Sequence, residues 1–239
     1  MATSGSTNYA SSRSLLISGA LRLIGGLAQG ETATSDQLTE GAEALNYLCK
    51  HLQADGMPLW AIKEYALTLT SGTRSYRIGE SATVNTPMPL RIHSMLRRHT
   101  STTTDVPLEL LTREQYERIS NKTVTGLPLM FWYDPQRTYG DLYVYPVPNA
   151  TAASDYTYRI TYQRPYEDFD AAGDEPDFPS YWFDTLKFGL AIRLAPEYGV
   201  PIEDQSNLQK LFMMMKNDAL SFGTEEGSLY FQRDTRSGW

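Results

Sequence analysis

The sequence predicts an α+β protein: a four-helix bundle built from an N-terminal and a C-terminal helix pair, with an antiparallel β region inserted between the pairs. Three observations lead there. Two stretches within residues 11–58 carry apolar residues at spacings of three and four, two more do so within residues 179–222, and residues 59–166 between them alternate aromatic and β-branched residues with polar ones. Each helix pair exposes an apolar stripe, and joining the pairs buries all four stripes at once.

Taken in order, residues 1–10 are small and polar and read as an arm that orders only against a partner. Ser11 to Leu27 reads as the first helix, with Leu15, Leu16, Ala20, Leu23, Ile24 and Leu27 on one stripe and Gly25, Gly26 and Gly30 ending it. The second follows Ser35-Asp36, either able to cap it, and carries Leu38, Ala42, Leu45, Leu48, Cys49 and Leu52 until Asp55-Gly56 and Pro58 stop it. Trp60 to Ile78, broken by Ser71-Gly72-Thr73, reads as a hairpin. Leu90–Arg98 and Val106–Leu111 read as strands around the Thr/Ser-rich residues 100–104, and Thr112 with Gln115 marks a capping box opening a short helix to Ile119. Leu127–Tyr133, Gly140–Tyr145 and Tyr156–Arg164 read as a meander. In the last strand Tyr156, Tyr158, Ile160 and Tyr162 share one face. The acidic residues 167–178 read as a solvated linker, Pro179 opens a third helix through Trp182, Leu186, Leu190 and Leu194, and Ile202–Leu220 forms a fourth with Leu208, Leu211, Phe212, Met215 and Ala219 on one face. Residues 223–239 form a tail bearing Leu229, Tyr230, Phe231 and Trp239.

Composition limits the function. In 239 residues, 41% hydrophobic and 21% charged, there is apolar matter for a sizeable core and no apolar run near the ~20 residues a bilayer span needs. No basic cluster precedes an apolar core at the N-terminus, so no signal peptide is expected. A net charge of −7 argues against tight nucleic-acid binding, where affinity comes from neutralising phosphates. One cysteine, Cys49, permits no internal disulfide, and its place on an apolar stripe makes it a small hydrophobe instead of a nucleophile.

Chemical motifs are sparse. His51, His93 and His99 have no metal-ligand spacing, and Gly25 to Gly30 lacks the dinucleotide fingerprint and follows a helix. Glu167, Asp168, Asp170, Asp174, Glu175 and Asp177 do not keep the register of a calcium loop. Asn121 and Asn149 open glycosylation patterns that matter only after secretion. Met213 to Met215 read as core filler. Arg91, Arg97 and Arg98 make the densest basic patch, either a contact to phosphate or an acidic partner, or a charged guard on an edge strand. No catalytic, cofactor-binding or metal-binding residue is assigned, and no cofactor is expected.

The order of several strings does carry a resemblance: Ala42 to Leu48, Leu59-Trp60, Gly126 to Pro128, Tyr133 to Pro135, Gly140 to Pro148, Tyr162 to Pro165, Phe178 to Trp182, Leu190-Ala191 and Ala195 to Tyr198. Over roughly residues 35–200 the chain resembles the head-to-tail adaptor, or connector, proteins of short-tailed bacteriophages. These are packing and turn residues, and their joint order is the signal. The resemblance implies a structural virion protein at the capsid–tail junction, assembled in the host cytoplasm. There twelve copies would form a ring between the portal protein and the tail nozzle, carry tail fibre or spike proteins, and let genomic DNA pass without gripping it. On this reading Leu229, Tyr230, Phe231 and Trp239 anchor the tail segment to the portal, and Arg91, Arg97 and Arg98 meet an acidic neighbour. Two alternatives stay open: a virion-associated peptidoglycan hydrolase using Asp168, Asp170 and Glu175, and a glycan- or protein-binding module on the Tyr-rich sheet.

Overall fold

The computed structural model describes residue 5, residues 9–55 and residues 59–223. Within them the alternating aromatic and β-branched residues build a single eight-stranded sheet in the order β1-β10-β4-β5-β7-β8-β2-β3. Its strands are β1 (Ile62–Leu67), β2 (Ser75–Gly79), β3 (Val84–Asn85), β4 (Arg91–His99), β5 (Asp105–Leu110), β7 (Met130–Pro135), β8 (Gly140–Tyr145) and β10 (Tyr156–Gln163). A further parallel pair joins β6 (Thr125–Gly126) to β9 (Val147–Pro148). The large sheet curls until it nearly closes as a barrel. Its two edges, β1 and the segment after β3, face each other across a cleft of about 680 Å³, bridged at its floor by a 3.2 Å hydrogen bond between the Thr86 and Tyr162 hydroxyls. Ile78, Met95, Phe131, Leu142, Val144, Tyr158 and Ile160 fill the interior.

This overturns the expected four-helix bundle with an inserted antiparallel β region. The barrel-like sheet is the organising structure, and it is mixed: β5 runs parallel to β7 and β2 parallel to β3. The β5–β7 link is a crossover holding α3 (Arg113–Glu117), the kind of long connection that parallel pairing demands. The expected hairpin over 60–78 does not form either. β1 pairs with β10 and β2 with β8, although a turn does form between them: the Thr73 N–H donates to the Thr70 carbonyl at 3.1 Å, and the Tyr76 hydroxyl accepts from the Thr70 N–H at 2.9 Å and lies 3.0 Å from the Thr73 carbonyl. The meander survives only as the β7–β8 hairpin, since β10 leaves it to sit between β1 and β4.

Six α-helices occur among the described residues, and four of them build a helical layer whose core is separate from that of the sheet: α1 (Arg13–Leu23), α2 (Ser35–Asp55), α5 (Phe183–Leu194) and α6 (Ile202–Phe222). They are not equal partners. α5 is the hub: Leu186, Leu190, Ala191 and Leu194 meet Ile17, Ala20 and Leu21 of α1 and Leu45, Leu48 and Leu52 of α2 in one core. α6 lies outside, with Ala219 as its one fully buried residue and Phe212 and Leu220 reaching in at the edge. Two glycines permit the close approach. A Cβ on Gly41 would sit 2.5 Å from Ile17 Cγ2, and one on Gly189 would meet Phe212 at 2.8 Å and Leu48 at 2.9 Å.

Local chemistry sets the helix ends. Ser12 caps α1. At α2 the cap is Thr34 and not Ser35 or Asp36: Gln37 N–H donates to Thr34 Oγ1 at 3.3 Å while Thr34 N–H donates to Gln37 Oε1 at 3.0 Å. The expected box at α3 is present in both directions, Thr112 N–H to Gln115 Oε1 at 2.7 Å and Gln115 N–H to Thr112 Oγ1 at 3.2 Å. A short helix α4 (Ala150–Ser154) is capped by Asn149 Oδ1, which accepts from the Ala152 N–H at 2.8 Å.

Candidate functional site

The acidic segment after β10 is a strap and not a free linker. Its aromatic residues Tyr166, Phe169 and Phe178 are buried in the helical core while Glu167, Asp168, Asp170 and Glu175 face solvent. α2 holds the strap with three side chains. Asn46 Nδ2 donates to the Phe169 carbonyl at 3.2 Å and its Oδ1 accepts from the Phe169 N–H at 2.9 Å; Gln53 Oε1 accepts from the Tyr166 N–H at 2.9 Å; Lys50 Nζ donates to the Tyr166 carbonyl at 3.1 Å and pairs with Asp168 at 2.5 Å. Arg13 N–H and Ser14 Oγ donate to the Asp174 and Ala172 carbonyls from the other side, at 2.8 Å each.

Two of the acidic groups titrate away from the ordinary carboxylate range, both downward. Asp174 accepts from the Ala171 N–H and the Asp170 N–H, which hold its carboxyl low. Burial pushes Asp177 up, but a bidentate pair with Arg164 and the Glu167 N–H more than reverse that. A general acid needs the opposite displacement. Asp168 is spent on Lys50.

At the junction of sheet and helices lies an aromatic plug. Trp60 stacks on Tyr166 at 4.8 Å, Phe178 packs edge-on to Tyr166 at 4.8 Å, and Trp182 follows at 5.8 Å from Phe178. Burial in this region drives the Tyr166 hydroxyl pKa upward and the Cys49 thiol up to about 12. Cys49 is thus a protonated core group, as its place on the stripe of α2 predicts.

The three arginines singled out in the sequence do not form one face. Arg97 and Arg98 are adjacent on β4 and point to opposite sides. Arg97 donates to the Pro128 carbonyl at 2.9 Å; Arg98 grips Asp105 on the neighbouring strand at 2.6 and 2.5 Å, which also keeps the Asp105 carboxyl below its usual range; Arg91 is exposed at the far end of the strand. His99 Nδ1 accepts from the Ser101 and Thr102 N–H groups, and His93 lies half-buried on the same strand. Leu229, Tyr230, Phe231 and Trp239 fall outside the described residues. Met213 and Met214 are exposed and do not fill the core.

Sequence reasoning missed an aromatic stack on the sheet. Trp132 and Tyr143 are cross-strand partners stacked at 4.8 Å, Tyr116 of α3 stacks on Trp132 at 5.1 Å, and the Arg113 guanidinium lies 5.3 Å from the Trp132 ring while donating to Asp134 at 3.0 Å. The pairing register that joins residues 132 and 143 leaves no mark in either strand alone. Among the described residues no group of three or more His, Cys, Asp or Glu side chains is placed to hold a metal ion, and no helix is long and apolar enough to cross a membrane.

What the described residues present is contact surface. There is a strapped helical layer, a groove of about 560 Å³ between Tyr9, Leu15, Tyr181 and Phe183, and a long outer helix with apolar side chains in solvent. Exposed apolar side chains of this kind mark surfaces suited to contact with other proteins. The family model of the SU10 adaptor protein matches residues 15–229, and the chain belongs to that family. It is therefore a bacteriophage adaptor, a structural component of the virion that contacts other virion proteins. No curated protein matches the chain.

Proposed function

We propose that the protein is the head-to-tail adaptor of a short-tailed phage. Copies of it form a ring, of twelve subunits, between the portal protein and the tail nozzle, with tail fibre or spike proteins attached and the genome passing through the lumen. The observation that carries this reading is α6: a 21-residue helix with a single fully buried residue and exposed Leu211, Met213 and Met214 offers a contact face to another protein. The net charge of −7 supports a lumen that does not retain DNA, because a wall that neutralised phosphates would add binding free energy for the moving genome to overcome.

In this arrangement Leu229, Tyr230, Phe231 and Trp239 anchor the C-terminal segment on the portal, since aromatic and aliphatic anchors dominate contact energies. Arg91, Arg97 and Arg98 meet acidic partners from different directions, with Arg91 the most accessible of the three. The test is to mix the purified protein with portal rings and image the product by electron microscopy. A second ring stacked on the portal supports the proposal, and portal rings that stay bare refute it. Deleting residues 224–239 is expected to abolish attachment and leave the circular dichroism of the chain unchanged. Attachment of the truncated chain at wild-type affinity refutes the assigned anchor.

A further inference from the structure

We propose that the outer face of α6 docks on the outer face of α2 in a second copy of the chain. The inference rests on the ring reading and gives it a joint: a closed ring of identical subunits needs two different surfaces per copy, one engaging the other around the circle. The two surfaces differ in charge and agree in chemistry.

On α6, Lys210, Met213, Met214 and Asn217 face solvent, with Met213 48% and Met214 54% exposed. Between Asp204 and Asp218 the helix carries Lys210 and Lys216 and no acidic residue. On α2, Asp36, Glu40, Glu43 and Tyr47 are exposed and fall at spacings of four, three and four, which places them on one stripe. From Leu23 to Cys49 the chain has no Lys, Arg or His. Tyr47 is 59% exposed and its hydroxyl donates to Glu43 Oε1 at 2.7 Å, so the ring is held against the acidic stripe with its face open.

The pairing of the two faces sets Lys210 against Glu40 and Glu43. It lays the flexible thioethers of Met213 and Met214 on the Tyr47 ring, a contact that sulfur makes favourably at the ring edge. Tyr and Met are enriched at interface centres and charges at the rim, which is the arrangement this join produces. A copy used through α6 on one side and α2 on the other leaves neither surface unmatched in a ring.

Charge exchange tests it. Sedimentation velocity of the purified full chain is followed over a range of protein concentrations at low and high salt, for wild type, Lys210→Glu, Glu40→Lys/Glu43→Lys, and the chain with all three changes. Wild type is expected to associate with rising concentration, more weakly in high salt. Each single-sided reversal is expected to raise the dissociation constant about tenfold or more, and the three changes together to restore association, because steering and register follow complementary charge. Circular dichroism confirms that each variant folds. A wild type that stays monomeric throughout, reversals that associate normally, or a failure of the combined variant to recover overturns the α6–α2 joint. Imaging on portal rings separates the two readings: a ring that assembles there with Lys210→Glu sinks this joint alone, whereas bare portals with wild type sink the ring.

Discussion

Asn46→Ala is the sharpest perturbation of this fold, because one amide side chain holds both backbone groups of Phe169 and so docks the strap on α2. Its truncation removes two hydrogen bonds: the Phe169 N–H loses its acceptor, while the Phe169 carbonyl keeps a long bond from Arg13 Nη1 at 3.4 Å, so the cost is roughly 2 kcal/mol for the N–H and about 1 kcal/mol for the bond lost at the carbonyl, or about 3 kcal/mol in all. A chain of this length loses ~2–4 °C of melting temperature per kcal/mol, so a fall of about 6–12 °C is expected by thermal circular dichroism. Native-state hydrogen exchange supplies the local readout: the Phe169 amide should lose protection while the amides of β10 keep theirs. A melting temperature within ~2 °C of wild type, with the Phe169 amide still protected, would show that the buried Tyr166, Phe169 and Phe178 rings hold the strap unaided, and the reasoning would be wrong.

Gly41→Ala should destabilise although alanine is the better helix former. The new methyl meets Ile17 Cγ2 at 2.5 Å, and a β-branched side chain cannot rotate away, so overpacking of roughly 2–3 kcal/mol exceeds the ~1 kcal/mol of helix propensity gained; urea denaturation decides the sign. Asp177→Asn should make stability less dependent on acid. The Asp177 carboxyl is held below its unfolded value, so its contribution is present above the usual carboxylate range near ~4 and is lost as pH falls through the folded value, and wild type and variant should converge in denaturation midpoint there. Parallel curves at every pH would refute it. Cys49, buried and with a pKa pushed up to about 12, should resist an aromatic disulfide reagent at pH 8 until denaturant is added. Immediate labelling of the native chain would place it elsewhere.

Some of this architecture is local and could be read from the chain. The α3 capping box needs only Thr112 and Gln115, and the burial of Cys49 follows from the spacing of Leu45, Leu48 and Leu52 around it. The sheet was not legible in the same way. Whether β10 pairs with β8 or with β1 and β4 depends on partners as far off as Ile62 and Arg91 are from Gln163, and a strand's alternation names its wet face without naming its neighbour. The bundle expectation failed because the β residues are no insertion: they close on themselves with a core of their own, and although α6 does pack on α5 through Phe212, it buries only Ala219 fully where α1 and α2 bury whole stripes. The strap itself was hidden because its acidic residues suggest a linker, while Phe169 and Phe178 carry the packing. Of the arginines, alternation along the expected strand already sets Arg97 and Arg98 on opposite faces, and what it leaves unnamed are their partners, Pro128 and Asp105.

The aromatic plug at Trp60, Tyr166, Phe178 and Trp182 has a mechanical consequence. The polypeptide passes between barrel and helices before β1 and again after β10, and these strands lie side by side, so both passages run through the same dense knot of rings. Close-packed interiors compress little. The plug thus pins barrel to helices where the chain crosses between them twice, so neither crossing can shift without disturbing the other.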